Sequence, residues 1–187
     1  MNIGLFFGTF DPIHLGHLTI AQNALQFKLL DQVWFVLTPR NPFKVDLTIS
    51  STQHRIAMIE IALIKYENIL FSDIELKLKA PQYTSDTLRH ITKKNPQHKF
   101  SIIMGSDNYC QLPKWKNSDY ILNNFIIYVY ARKGYSIDKL DARFQLLGEH
   151  LMIASSEIRQ NIQSPHYINM LTKGVLDYIQ KNRLYCI

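Results

Sequence analysis

The apolar run Ile3-Gly4-Leu5-Phe6-Phe7 passes directly into Gly8-Thr9-Phe10-Asp11-Pro12-Ile13-His14-Leu15-Gly16-His17, and this junction constrains the fold more than any other stretch. Apolar residues without a polar break read as a strand buried on both faces. Gly8 permits a tight turn, Pro12 fixes φ in the loop, and Leu18, Ile20, Ala21, Ala24 and Leu25 set the period of a helix over about 16–28. That order brings the helix's first N–H groups to the strand's C-terminal end, where their partial positive charge favours an anion. His14 and His17 stand three apart, so their imidazoles share one face, and Gly16 between them leaves no side chain in the way. One histidine alone reads as a capping or core residue. The pair, set among glycines, reads as two donors converging on a small ligand space.

The pattern repeats along the chain. Gln32-Val33-Trp34-Phe35-Val36-Leu37 is β-branched and aromatic and reads as a second buried strand, closing a βαβ unit whose following loop, 38–49, lies over the same crevice. Ser51 is a candidate N-cap for a scaffold helix to about Ile64. The alternation over 73–78 predicts an exposed strand, and 81–88 leads into a further helix. Phe100-Ser101-Ile102-Ile103-Met104 ends in Gly105-Ser106-Asp107, a second strand delivering a glycine loop to the same edge. Asp107 reads either as a helix N-cap or as a polar ligand for a ribose or metal-bound water. Residues 125–131 form the last long strand, 138–150 has helical amphipathicity without readable chemistry, and Ser155 and Ser156 open another helix. The expectation is an α/β, Rossmann-like, open and mainly parallel sheet with helices on both faces, as one domain over 1–187.

Charge and cysteine content exclude several function classes. The net charge of +6 suits an anionic partner, but the basic residues form no block, so a phosphorylated small molecule is expected rather than nucleic acid. The two cysteines, Cys110 and Cys186, have no metal or disulfide spacing, which fits a reducing cytoplasm. No apolar segment approaches the roughly 18 residues of a membrane span, and no leader pattern precedes the first strand.

GTFDPIHLGH resembles the HxGH signature of the nucleotidyltransferase superfamily related to class I aminoacyl-tRNA synthetases, and its full form is similar to the bacterial nicotinate-nucleotide adenylyltransferase family. Gly105 to Trp115, with Asp107 and Leu-Pro-Lys-Trp, is similar to that family's G-x-D…L-P-x-W, and Arg132-Lys133-Gly134-Tyr135 to its R-x-G-Y. Residues 154–159 resemble the superfamily's ISSTxxR with Ala154 in the first serine position and Ser156 in the threonine position, and 178–185 resembles YIxxNxLY. The loop after the second strand carries Lys44 where the family has a lysine, and Phe43 where it often has histidine.

The resemblance implies adenylyl transfer from ATP to nicotinate mononucleotide, with Mg²⁺ carried by ATP and pyrophosphate. It implies His14, His17, Lys44 and Arg159 on the triphosphate, with Gly8, Thr9, Phe10, Gly16, Gly105, Asp107, Ser155 and Ser156 around ATP. Tyr83, Thr84, Trp115 and Arg132 would hold the mononucleotide. Packing of Trp115 against the domain and simple solvation of Lys44 are the plainer readings of those side chains. The competing functions are the same scaffold acting on nicotinamide mononucleotide or phosphopantetheine, and a nucleotide-binding regulator without chemistry. No protein metal site and no membrane or nucleic-acid partner is expected, and a homo-oligomer stays open.

Overall fold

The computed structural model describes residues 1–26, 30–39, 49–132, 134–135, 144–146 and 153–185. Six strands make one sheet: β1 (Asn2–Gly8), β2 (Gln32–Leu37), β3 (Ile69–Ser72), β4 (Lys99–Gly105), β5 (Ile126–Tyr130) and β6 (Phe144–Leu146). Their order is β3-β2-β1-β4-β5-β6, and every pairing is parallel. The order reverses between β1 and β4, so the loops leaving these two strands part and open a crevice at their C-terminal ends. Register keeps those ends level: Gly8 lies opposite Leu37, and Phe6 opposite Ile103.

Helices α1 (Leu15–Gln26), α2 (Thr52–Leu63), α3 (Thr84–Lys94), α4 (Ser106–Gln111), α5 (Ser118–Asn124), α6 (Ser155–Gln160), α7 (Pro165–Ile168) and α8 (Lys173–Lys181), with 3-10 turns at Ile74–Lys77 and Leu112–Lys114, complete the described elements. Successive strand residues point to opposite faces, and both faces are covered. Phe6, Phe35, Ile103, Tyr128 and Tyr130 pack with Leu18 of α1, Met58 of α2, Ile158 of α6 and Val175 of α8. Ile3, Leu5, Ile102, Met104, Ile127 and Val129 pack on the other face with Leu88 of α3 and Ile121 of α5. The uninterrupted apolar strands of the sequence are thus strands with two buried faces. Ser51 caps α2 as expected, accepting from the His54 N–H at 3.3 Å.

Three expectations change. The strand expected at 73–78 falls earlier, at Ile69–Ser72, and Ile74–Lys77 is a 3-10 turn. The alternation imitates a strand, but the chain has left the sheet by then. Asp73 and Lys77 pair across the turn at 2.8 Å, and buried Glu75 accepts from the Thr87 hydroxyl at 2.9 Å. Within the helix expected over 138–150, Phe144–Leu146 is instead the edge strand β6, paired with Ile127–Val129 of β5. The left-handed residue of the first loop is Phe10 (φ 46°) rather than Gly8, which ends β1. Gly8 is needed for space: a Cβ there would sit 2.8 Å from the Phe10 ring.

Candidate active site

The cleft at the ends of β1 and β4 has a volume of about 450 Å³. It draws Gly8, Thr9 and Phe10 from the β1 loop, His17 from α1, Tyr83 and Thr84 from the start of α3, and Asp107 and Trp115 from the segment after β4. Arg132 joins from beyond β5, and Ser155, Ser156 and Arg159 from α6. The residues singled out in the sequence therefore converge, with four exceptions. His14 and Gly16 are buried in the wall behind His17, and Gly105 lies under the Asp107–Arg132 pair. Lys44 falls outside the described residues.

Phe10 holds its strained backbone, a conformation that costs about 1–3 kcal/mol in a non-glycine residue, because its ring is fixed on several sides. It packs edge-on against Phe6 at 5.7 Å and against His17 at 5.1 Å, and tilted on Phe35 at 5.0 Å. The His17 ring is thereby set in place. His17 Nδ1 accepts from the His14 N–H at 3.3 Å, so the neutral ring carries its hydrogen on Nε2. His14 stacks on it with ring centroids 3.7 Å apart, and neither His14 nitrogen has a partner among the described residues. Burial and then the Arg132 guanidinium push the His14 pKa down to about 3, and burial, His14 and Arg132 push His17 well below its ordinary value. Both imidazoles are neutral donors at neutral pH.

The cations are held by their own side chains and by loops. Arg132 lies 3.6 Å from Asp107 through Nε and donates to the Tyr130 hydroxyl at 3.2 Å, while its N–H donates to Ser106 Oγ at 2.9 Å. Asp107 is therefore no N-cap; Gly105 holds that position, and a Cβ on Gly105 would run into Asp107 Oδ1 and lie 3.0 Å from Arg132 Nε. Arg159 belongs to the second turn of α6 rather than its first, and its Nη1 donates to the Asp11 carbonyl at 2.6 Å. Ser155 Oγ donates to the Pro12 carbonyl at 2.9 Å, tying α6 to the β1 loop. Ala154 occupies the N-cap without a side-chain oxygen, leaving Glu157 to accept from its N–H at 3.2 Å.

At the other end, Trp115 lines the cleft with its Nε1 buried and unpartnered among the described residues. Lys116 lies 4.3 Å over the Tyr83 ring and bonds Asp86 at 3.0 Å. Thr84 and Ser85 begin α3, so their N–H groups have no acceptor within the helix.

Four residues that the sequence reading passed over shape this site. Arg55, in the helix taken as scaffold, is 1% exposed, and its guanidinium donates to the carbonyls of Ser50, Thr9, Thr38 and Pro39 at 2.8–3.1 Å. It thus stitches the β1 and β2 loops together. Asp11 is fully buried and accepts from the Ser50 N–H at 3.1 Å. Tyr185 donates its hydroxyl to the same Asp11 carboxylate. Glu75 lines the cleft, and burial pushes its carboxyl pKa up. A charged residue in the middle of an amphipathic helix carries no sign of burial in the sequence.

Comparison with known proteins agrees with this arrangement. A family model described as cytidylyltransferase-like matches residues 5–169. A Flavobacterium johnsoniae protein named "probable nicotinate-nucleotide adenylyltransferase" is 41% identical over 191 residues, covering 99% of each chain. The chain belongs to the nicotinate-nucleotide adenylyltransferase family. A relative of the same name from Oceanobacillus iheyensis is 35% identical, covering 98% of this chain and 96% of its own. The nicotinic acid mononucleotide adenylyltransferase of Plasmodium falciparum, solved with NaAD, shares the family's fold with a TM-score of 0.80 at 21% identity, over 98% of this chain and 97% of that one. Among the described residues no helix is long and apolar enough to cross a membrane.

Proposed function

We propose that this chain transfers the adenylyl group of ATP to nicotinate mononucleotide, giving nicotinate adenine dinucleotide and pyrophosphate in cytoplasmic NAD biosynthesis, with 1–187 acting as one nucleotidyltransferase domain. The observation that carries the reading is the polarity of one continuous cleft. Neutral histidine and arginine donors stand with His17 and Arg159 in its lining, and Trp115, Tyr83 and the start of α3 complete the same wall. The relatives' name and the Plasmodium falciparum complex with NaAD support the same substrates.

In this reading a phosphate oxygen of the mononucleotide attacks the α-phosphorus of ATP, the bond to the bridging oxygen breaks, and pyrophosphate leaves with the electron pair. The substrate supplies its own nucleophile, so the protein's work is alignment and charge stabilisation. His17 Nε2–H meets the phosphates with His14 stacked behind it, joined by Arg159 and the start of α6 at Ser155 and Ser156, and the family resemblance adds Lys44. Gly8, Thr9, Phe10, Gly16, Gly105 and Asp107 shape the ATP half. Arg132 bridges towards the mononucleotide phosphate, Trp115 stacks on the pyridine, and the Thr84 and Ser85 N–H groups take its carboxylate. In this reading Mg²⁺ is carried in by the phosphates of ATP and leaves with pyrophosphate, as part of the substrate.

The test is a product assay with ATP and nicotinate mononucleotide. The expected result is equimolar dinucleotide and pyrophosphate; ATP binding without either product would make the chain a nucleotide-binding regulator.

A further inference from the structure

We propose that Tyr185 is a positioning residue for the triphosphate half of the cleft, acting through Asp11 on Arg159. The inference rests on the reading of Arg159 as a triphosphate ligand. Tyr185 lies beyond α8 with φ 59°, a left-handed conformation unfavourable for a tyrosine, and this turn carries its ring back to the β1 loop. Its hydroxyl donates to Asp11 Oδ1. The other carboxylate oxygen accepts from the Ser50 N–H at 3.1 Å and stands 3.7 Å from Arg159 Nη1. That same Nη1 donates to the Asp11 carbonyl at 2.6 Å. Arg159 is therefore anchored through a main-chain oxygen, while the nearby carboxylate stays beyond hydrogen-bond distance.

Asp11 is fully buried, and its orientation is set by what bonds each oxygen. With Oδ1 held by Tyr185 and Oδ2 by Ser50, the carboxylate cannot turn to close on Arg159. Without the hydroxyl, Oδ1 loses the donor that holds it, and among the described residues the Arg159 guanidinium, 3.7 Å from Oδ2, is the charged donor in ion-pair range of this carboxylate. A charge-assisted bond at about 2.7–2.9 Å would form, and Arg159 would be drawn from the cleft into an internal ion pair. Tyr185 thus keeps the arginine's charge available to an anion, although it touches no substrate itself.

Tyr185→Phe keeps the ring's packing and removes only the hydroxyl. The test uses the full chain as wild type, Tyr185→Phe, Arg159→Lys and the double variant, with kcat/KM for ATP and KM for the mononucleotide measured in each. Tyr185→Phe should lower kcat/KM for ATP at least about tenfold, the low end for losing a bond to a charged group, and leave the mononucleotide KM within about twofold. In the Arg159→Lys background the same change should cost less than about twofold, because the residue through which it acts is already altered. An equal loss in both backgrounds, or an equal shift for both substrates, overturns the inference alone. An Arg159→Lys enzyme with unchanged ATP parameters overturns the reading of Arg159 and takes the inference with it.

Discussion

The imidazole of His14 lies on that of His17 with ring centroids 3.7 Å apart and planes 26° apart, and both rings are almost wholly buried. Two stacked cations in that position would repel each other and the nearby Arg132, so the pair is neutral until an anion arrives. His17 then serves as a fixed donor. His17→Ala should fold and lose turnover about 10²–10³-fold, the size seen when one donor to a developing phosphate charge is removed, with a smaller change in ATP affinity. A folded variant with wild-type kcat would take His17 out of the mechanism.

The same burial makes stability depend on acid. The folded pKa of His14 is lowered to about 3 and that of His17 also lies well below its ordinary value, whereas unfolded histidines titrate near 6.5. Below about pH 6.5 the unfolded chain therefore binds protons that the folded chain does not, and stability falls as pH drops towards 3. Above that pH the contribution is constant. Urea unfolding at pH 7.5 and pH 5 should show a smaller loss for His14→Gln than for the wild type. Equal losses in the two proteins would contradict the depressed pKa.

Arg55 binds four loop carbonyls at once, and removing it leaves them without a donor. An orphaned carbonyl costs about 1–3 kcal/mol when fully buried and less when part-buried as these are, so Arg55→Met should destabilise the fold by at least about 1 kcal/mol. A drop below about 1 kcal/mol in chemical denaturation would show that water replaces the guanidinium.

Gly8→Ala places a methyl 2.8 Å from the Phe10 ring, which itself packs on His17. Overpacking of this kind costs about 1–3 kcal/mol, and here the displaced ring carries His17, the proposed phosphate donor, with it. Turnover should fall alongside the melting temperature. Lost stability with unchanged kcat would separate Phe10 from the placement of His17.

The fold was legible where the sequence holds mainly apolar runs: β1, β2, β4 and β5 lie within about two residues of the expected strands because burial on both faces leaves few polar positions, such as Ser101. β3 was displaced since Ile69–Ser72 is only four residues long, whereas the alternation after it imitates a strand while forming a turn around buried Glu75. β6 is shorter still and sits at the sheet edge. In the cleft, local motifs pointed to His17, Trp115 and Arg159, which line it, and to His14, which stacks behind His17. Arg55 gained its place through carbonyls 5 to 46 residues away, and Asp11 and Tyr185 through contacts 39 to 174 residues apart, which no local pattern encodes. Asp11 stood inside the first motif without a role until its partners were known.

The central claim is that one cleft joins adenylyl chemistry to recognition of an acidic pyridine. The nicotinate carboxylate carries a charge that the amide lacks, and a charged hydrogen bond lost inside a pocket is worth about 1.5–3 kcal/mol. The most direct measurement gives the protein ATP with equal amounts of nicotinate and nicotinamide mononucleotides and reads the ratio of the two dinucleotides. The account predicts at least about tenfold more of the acid product, and Trp115→Ala should mainly weaken mononucleotide binding and spare ATP. Equal amounts of the two dinucleotides would contradict it.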